Sequence, residues 1–128
     1  MPSKNKEKDL ENRLVGWLVS YALDQDGFTY EIRSGRTLIG SGKKNNGIRL
    51  LTLEENTISD PHLAMNASTK HRVYVQDIFS DAGSFIVRSA SGREEDINGP
   101  VELKHGDWIK IGKNTRFQVC LIDGPSSN

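Results

Sequence analysis

The side chains best suited to chemistry in this sequence stand in two polar loops and could together hold an anion. Ser59-Asp60-Pro61-His62 supplies a hydroxyl and an imidazole within one short segment. Lys43 and Lys44 supply adjacent positive charges in the other loop, where Gly42 precedes them. Hydroxyls, cations and glycine-rich backbone N–H groups are the donors that surround a phosphate or a carboxylate in proteins. An anion-binding site is one use that these residue types would fit.

Each of these groups also has a structural explanation. A loop serine commonly uses its hydroxyl to bond nearby backbone. Two lysines in a polar loop are commonly just solvated, and most loop glycines only turn the chain. For the two lysines, the residue types alone favour the solvated interpretation.

No combination of residues indicates catalysis or a metal. The sequence has no Gly-Lys-Ser/Thr phosphate loop, no recognisable pair of catalytic carboxylates, and no Ser-His-Asp or Cys-His set. His71 and His105 show neither ligand spacing nor a nucleophile partner. Cys120 is the one cysteine, which excludes an intrachain disulfide, and its apolar surroundings predict a small buried side chain. We therefore expect no enzyme, no metal and no cofactor.

The composition is that of an ordinary globular domain with balanced charge. The 128 residues fit one domain, and 17 basic side chains balance 17 acidic ones. This balance argues against bulk electrostatic binding to nucleic acid or to an anionic membrane. No apolar stretch is long enough to span a bilayer, so we expect no direct membrane insertion and take the cytoplasm as the default compartment.

The middle of the chain alternates short β-type runs with turns rich in Gly, Asp and Asn. Such a pattern predicts an all-β sandwich or barrel of about ten or eleven short, mostly antiparallel strands. Trp17 and Trp108 stand in apolar runs and are expected in the core. The strands are predicted at residues 14–21, 28–32, 37–39, 48–50, 63–65, 72–77, 84–87, 101–103, 108–111 and 116–121.

The two ends of the chain differ from this middle part. Residues 1–13 are crowded with charged side chains and are predicted to form a polar tail. Residues 124–128, with the sequence Gly-Pro-Ser-Ser-Asn, are typical of a linker, and we expect an effector domain to follow in the full-length protein. Residues 14–123 then form the single folded domain.

The order of several landmarks resembles the forkhead-associated (FHA) domain family, and the match runs through residues 15–122. That family has a Gly closing an apolar strand, then Ser-x-x-His, an Asp-containing strand end, a Gly turn, and a final Gly-Asp-x-Ile-x-x-Gly. The matching segments here are Leu38-Ile39-Gly40, Ser59-Asp60-Pro61-His62, Asp77-Ile78-Phe79-Ser80 with Gly83, and Gly106-Asp107-Trp108-Ile109-Lys110-Ile111-Gly112. The resemblance implies a two-sheet β-sandwich, FHA/SMAD-like, whose loops at one end bind phosphothreonine peptides.

The resemblance also implies a role for each matching position. Ser59 stands where the family has its phosphate-binding serine. His62 stands where the family has a histidine that braces the loops, and Gly40 supports the site with it. The implied phosphopeptide-binding set is Ser41, Lys43, Lys44, Ser59, Asp81, Ala82 and Gly83.

Three positions depart from the family pattern. Ser41 replaces the arginine that usually grips the phosphate, and Ala82 replaces the asparagine that usually holds the peptide backbone. Asp60 follows the binding serine, where a basic or polar residue is common. Lys43 and Lys44 can offset the lost charge, with Arg36 or Arg72 as further candidates, but lysine lacks the planar fork of arginine.

Two functions fit these observations. The first is a signalling module that binds a phosphothreonine-containing protein, either in trans or within its own parent protein. The alternative is an assembly or interaction domain that no longer recognises phosphate, as in ring components of secretion systems with a similar fold. The lysines and Ser59 favour the first, and the missing arginine and asparagine favour the second.

Overall fold

A computed structural model describes residues 12–42 and 49–124 of the chain. Within them the secondary structure is all β, and no helix is long and apolar enough to cross a membrane. The eleven strands are β1 (Leu14–Ser20), β2 (Phe28–Arg33), β3 (Gly35–Gly40), β4 (Arg49–Thr52), β5 (Leu63–Ala67), β6 (Val73–Asp77), β7 (Ser84–Val87), β8 (Glu94–Asp96), β9 (Val101–Leu103), β10 (Trp108–Ile111) and β11 (Thr115–Leu121).

The strands form two sheets that face each other. The six-stranded sheet has the order β2-β1-β11-β10-β7-β8, and the five-stranded sheet has the order β4-β3-β5-β6-β9. Neighbouring strands are antiparallel, except that β3 and β4 run parallel. The predicted two-sheet, mostly antiparallel β-sandwich is confirmed.

The core lies between the sheets because alternate residues of each strand point inward. Leu18, Ile109 and Phe117 from the larger sheet and Ile39 and Leu63 from the smaller one are completely buried. Burying one such side chain contributes about 1.5–3 kcal/mol. These contacts fix the strand ends that carry the loops.

The expectation that both tryptophans are core residues is wrong. Trp17 and Trp108 are half-buried and point to the outer face of the six-stranded sheet, because each precedes an inward-facing residue that is fully buried. Cys120, also expected to be buried, is half-buried on the same face, directly opposite Trp17 in the register. The guanidinium of Arg116 lies 4.8 Å from the centroid of the Trp108 ring. An apolar segment predicts a strand, but it does not predict which residues face the core and which face solvent.

One strand was missed by the sequence analysis. β8 (Glu94–Asp96) consists of three exposed acidic residues that pair with β7 at the edge of the larger sheet. It contains no apolar side chain that would predict a strand. An edge strand can still form there, because backbone hydrogen bonds alone can hold it. Residue 48, where another strand was predicted to begin, lies outside the described residues.

Four connections lie at one end of the sandwich, which we call the loop end. They are the β4–β5 loop (53–62), the β6–β7 loop (78–83), the β10–β11 turn (112–114) and the β1–β2 hairpin loop (21–27). Residues 41–42, which follow β3, and the β8–β9 connection (97–100) lie at the same end. The turns at residues 68–72, 88–93 and 104–107 lie at the opposite end, where β1 also begins and β11 ends. The described termini therefore leave the loop end uncovered.

Candidate functional site

The close approach of two loops at Gly40 begins the site. A Cβ atom at Gly40 would lie 2.8 Å from the Ser59 carbonyl oxygen and 3.1 Å from both the His62 nitrogen and the Pro61 Cα atom. The backbone N–H of His62 donates to the Ile39 carbonyl at 2.9 Å, and that of Ser41 donates to the Ser59 carbonyl at 3.1 Å. The absence of a side chain at Gly40 thus lets the β4–β5 loop pack directly on the end of β3.

Ser59 lies where the end of β3, the β4–β5 loop and the β6–β7 loop meet. Its hydroxyl oxygen accepts a hydrogen bond from the backbone N–H of Asp81 in the β6–β7 loop, at 3.1 Å. Its carbonyl accepts the bond from Ser41 described above. Because a hydroxyl has one proton to donate and two lone pairs, this arrangement leaves the Ser59 O–H available as a donor, without an acceptor among the described residues.

His62 joins two loops from inside the protein. Its side chain is completely buried. The Ser59 N–H donates to His62 Nδ1 at 3.0 Å, and His62 Nε2 lies 2.8 Å from the Gly83 carbonyl oxygen. Because Nδ1 accepts this hydrogen bond, it carries no proton. The ring proton is therefore on Nε2, which donates it to the Gly83 carbonyl, and the imidazole is neutral. Both ring nitrogens are used, which leaves neither free for a ligand.

Asp77, at the end of β6, organises the β6–β7 loop. Its carboxylate accepts hydrogen bonds from the hydroxyls of Ser80 and Ser84 and from the Ser80 N–H, and the Ser80 hydroxyl also accepts from the Gly83 N–H at 3.0 Å. Partial burial alone would raise the pKa of the Asp77 carboxyl. The hydrogen bonds from Ser80 and Ser84 outweigh it and hold the pKa below its ordinary value.

The remaining predicted positions surround this framework. Asp81 is exposed, Ala82 and Gly83 are half-buried, and Gly83 has a φ of 83° that favours glycine. Ser41 is half-buried beside the Ser59 carbonyl. The structure thus brings the predicted positions of the β3, β4–β5 and β6–β7 segments to one end. Lys43 and Lys44 lie outside the described residues.

Asp60 places a negative charge at the mouth of the site. A Cβ atom at Gly42 would stand 2.0 Å from Asp60 Oδ1 and 2.6 Å from its Cγ, so the carboxylate lies directly over the Gly42 backbone. Asp60 and Asp81 are both exposed, and neither forms an ion pair within the described part of the chain.

The β10–β11 turn contributes to the loop end in a way that its sequence did not predict. The Thr57 hydroxyl accepts from the Lys113 N–H at 2.8 Å, and the Asn114 amide donates to Glu55 at 3.1 Å. These bonds attach the turn to the β4–β5 loop and bring the exposed ammonium-bearing Lys113 to the loop end. The Gly-Lys-Asn sequence at 112–114 signals a turn, but nothing in it shows which loop it contacts.

The chemistry that the described residues of this site offer is hydrogen bonding. Among the residues that the structure describes, no group of three or more His, Cys, Asp or Glu side chains could hold a metal ion. What it does offer is a hydroxyl donor on a hydrogen-bonded frame at an open end of the sandwich.

Comparison with known proteins decides the family. A family model described as the FHA domain matches residues 37–112, more than half of the chain. The chain belongs to the FHA domain family. The match includes Ser59, His62 and the whole β6–β7 loop, so the framework described above is that of an FHA domain, a family of binding modules.

Solved FHA domains share this fold. An FHA domain of an Arabidopsis thaliana hypothetical protein is 25% identical, with 90% of this chain and 92% of that chain covered and a TM-score of 0.67. The FHA domain of human APLF, in complex with an XRCC1 bisphospho peptide, is 18% identical, with 84% and 99% covered and a TM-score of 0.65. A structure from a study of phosphothreonine-dependent FHA domain interactions is 21% identical, with 86% and 98% covered and a TM-score of 0.63. Curated protein sequences gave no match.

Proposed function

We propose that this FHA domain binds phosphothreonine-containing segments of proteins at the loop end. The Ser59 hydroxyl donates to a phosphate oxygen, and Ser41 and Gly83 line the binding site beside it. His62 and Gly40 hold the loops in place. The partner is a phosphorylated protein in trans or a segment of the same parent protein, which we expect to carry an effector domain. The cytoplasm stays a prediction from the sequence.

The geometry of Ser59 is the observation that carries this proposal. The Asp81 N–H occupies one lone pair of the hydroxyl and so fixes its orientation, while the hydroxyl proton remains available. The Ser59 N–H and carbonyl are bonded to His62 and Ser41, so the residue is held from three sides. A donor that is already ordered loses little entropy when it binds a ligand.

We expect the positive charge to come from lysine, because Arg36 at the start of β3 and Arg72 just before β6 lie at the opposite end of the sandwich. With Ser41 in the position of the usual arginine, the candidates are Lys43 and Lys44 between β3 and β4. Lys113 is a further candidate, because its backbone bond to Thr57 holds it at the loop end. An ammonium group serves as a point charge for phosphate. Because it cannot form the paired bonds of a guanidinium, we expect weaker binding than an arginine-containing site would give.

A second candidate function is protein assembly without phosphate. The acidic Asp60 and Asp81 at the mouth favour it, because each repels a dianionic phosphate. Ala82 favours it too, since this side chain cannot bond a peptide backbone. The two functions differ in one measurable property, the dependence of binding on the phosphate.

Isothermal titration calorimetry with a degenerate phosphothreonine peptide pool and its unphosphorylated twin distinguishes them. Wild type is expected to bind the phosphorylated pool alone. Ser59→Ala is expected to weaken this binding by roughly 10–100-fold, the effect of losing one hydrogen bond to a charged group. A Lys43→Ala/Lys44→Ala double variant is expected to weaken it as well, with a reduced salt dependence.

The matched control is a Lys70→Ala/Lys104→Ala double variant, which removes the same charge at the opposite end. Both control lysines are exposed there. Equal losses in the two double variants would assign the effect to net charge and not to the loop end. No binding of either pool by folded wild type at high micromolar peptide would reject the phosphothreonine proposal and favour assembly.

A further inference from the structure

Phe79 is the most exposed large apolar side chain in the described part of the chain. It lies in the β6–β7 loop and has a relative exposure of 101%. A side chain with that exposure contributes no burial to the folded state. Its aromatic ring must therefore be explained by something other than packing within this domain.

The backbone conformation of Phe79 is also unusual for an aromatic residue. Its φ is 47°, in the left-handed region that glycine and asparagine adopt most readily. A Cβ-bearing aromatic residue is disfavoured in that conformation, and the exposed ring gains nothing in return. Folding alone would favour glycine at this position, so the side chain is retained at a cost to stability.

The location of Phe79 connects it to the candidate site. The next residue, Ser80, donates its N–H to Asp77 at 3.0 Å, and the one after it, Asp81, donates its N–H to the Ser59 hydroxyl at 3.1 Å. The ring therefore projects from a loop segment that is pinned on its C-terminal side and touches the proposed phosphate donor. An aromatic ring on an ordered loop gives contact area at a small entropic cost.

We infer that Phe79 is a specificity-determining residue that contacts an apolar side chain of the same phosphothreonine segment. This inference rests on the proposed function. Because the Asp81 N–H is bonded to the Ser59 hydroxyl, the β6–β7 loop adjoins a phosphothreonine held at Ser59. An aliphatic or aromatic side chain next to that phosphothreonine can then cover the Phe79 ring. The preferred partner is thus a phosphothreonine segment with an apolar residue close to the phosphate.

The test uses two phosphothreonine peptide pools that differ only near the phosphothreonine, one rich in Leu, Ile and Phe and the other in Ser and Asn. Wild type is expected to bind the apolar pool about tenfold more tightly, the size of a single aromatic anchor. Phe79→Gly is expected to lose this preference while its binding to the polar pool and its dependence on phosphate remain.

Thermal unfolding separates a binding role from a folding role. Phe79→Gly is expected to melt no lower than wild type, because glycine accepts the left-handed backbone. Tyr21→Ala, which removes another exposed aromatic ring from the β1–β2 hairpin loop, is the matched control and should keep the apolar preference.

Three results would overturn the inference. Equal binding of the two phosphorylated pools by wild type, or an unchanged preference in Phe79→Gly, would reject the role of Phe79 and leave the proposed function standing. The absence of phosphate-dependent binding to either pool would reject the proposed function and the inference with it.

Discussion

At the scale of single residues, two glycines in neighbouring positions are expected to behave differently. A Cβ atom at Gly40 would meet backbone atoms of Ser59, His62 and Pro61, whereas one at Gly42 would meet the Asp60 carboxylate. Backbone in a packed loop cannot move without losing hydrogen bonds, but an exposed side chain can rotate away.

Gly40→Ala is therefore expected to cost about 1–3 kcal/mol of unfolding free energy, and Gly42→Ala less than about 1 kcal/mol. Urea denaturation of both variants measures this difference directly. Equal costs would show that the β4–β5 loop does not pack on Gly40 as described.

A second residue-scale prediction concerns the acidic mouth of the site. Asp60 and Asp81 are exposed beside Ser59, so each carboxylate repels a bound phosphate through water. Asp60→Asn and Asp81→Asn are each expected to tighten phosphothreonine peptide binding by roughly threefold to fivefold at low salt, with the gain shrinking at high salt.

Calorimetry at two salt concentrations measures this gain. Asp123→Asn, which neutralises an exposed carboxylate after β11 at the opposite end of the sandwich, is the charge-matched control. Weaker binding in both mouth variants would mean that the carboxylates contact the ligand favourably.

At the scale of elements, the β6–β7 loop depends on the ionisation of Asp77. Hydrogen bonds from Ser80 and Ser84 hold the pKa of this carboxyl below its ordinary value in the folded state. A group whose pKa is lowered by folding stabilises the native state above its unfolded pKa of about 4 and loses this contribution as the pH falls through the folded value.

Asp77→Asn is therefore expected to destabilise the domain most at pH 6–7 and progressively less below about pH 4. Chemical denaturation of wild type and variant across this range measures the difference in unfolding free energy. Glu31→Gln, an exposed pair partner of Arg33, is the control and should show a much smaller change. A difference that is constant with pH would contradict the assigned network.

The elements themselves were largely predictable because their signals are local. Alternating apolar residues and Gly or Asn turns marked ten of the eleven strands, since a strand half-buried in a sandwich must alternate. The acidic β8 (Glu94–Asp96) gave no such signal. Whether Trp17 and Trp108 point inward or outward depends on strand register and strand order. These are properties of the whole sheet and cannot be inferred from one apolar segment.

The site was predictable where it follows a motif and not where it depends on contacts between distant segments. Ser59 and His62 could be singled out because they match the Ser-x-x-His of the FHA pattern, in order with its other landmarks. The bond between Asp81 and Ser59, the attachment of the 112–114 turn to Thr57, and the exposure of Phe79 arise from how separate loops meet. No pattern within one segment contains that information.

At the scale of the whole molecule, the ends of the described chain lie far from the candidate site. The described ends of the chain, at residues 12 and 124, lie at the end of the sandwich opposite to the loop end. The chain therefore enters and leaves the described β-sandwich away from Ser59. This arrangement suits a module that is fused to other domains and still presents its loops to a partner.

The most direct test of the account is an amide NMR titration of the folded domain with a short phosphothreonine peptide and its unphosphorylated form. We predict that the phosphorylated peptide alone shifts the amide signals of Ser41, Ser59, Asp81 and Gly83, while the turns at residues 68–72 and 88–93 stay unchanged. Shifts confined to the opposite end, or identical shifts with both peptides, would contradict phosphate recognition at Ser59.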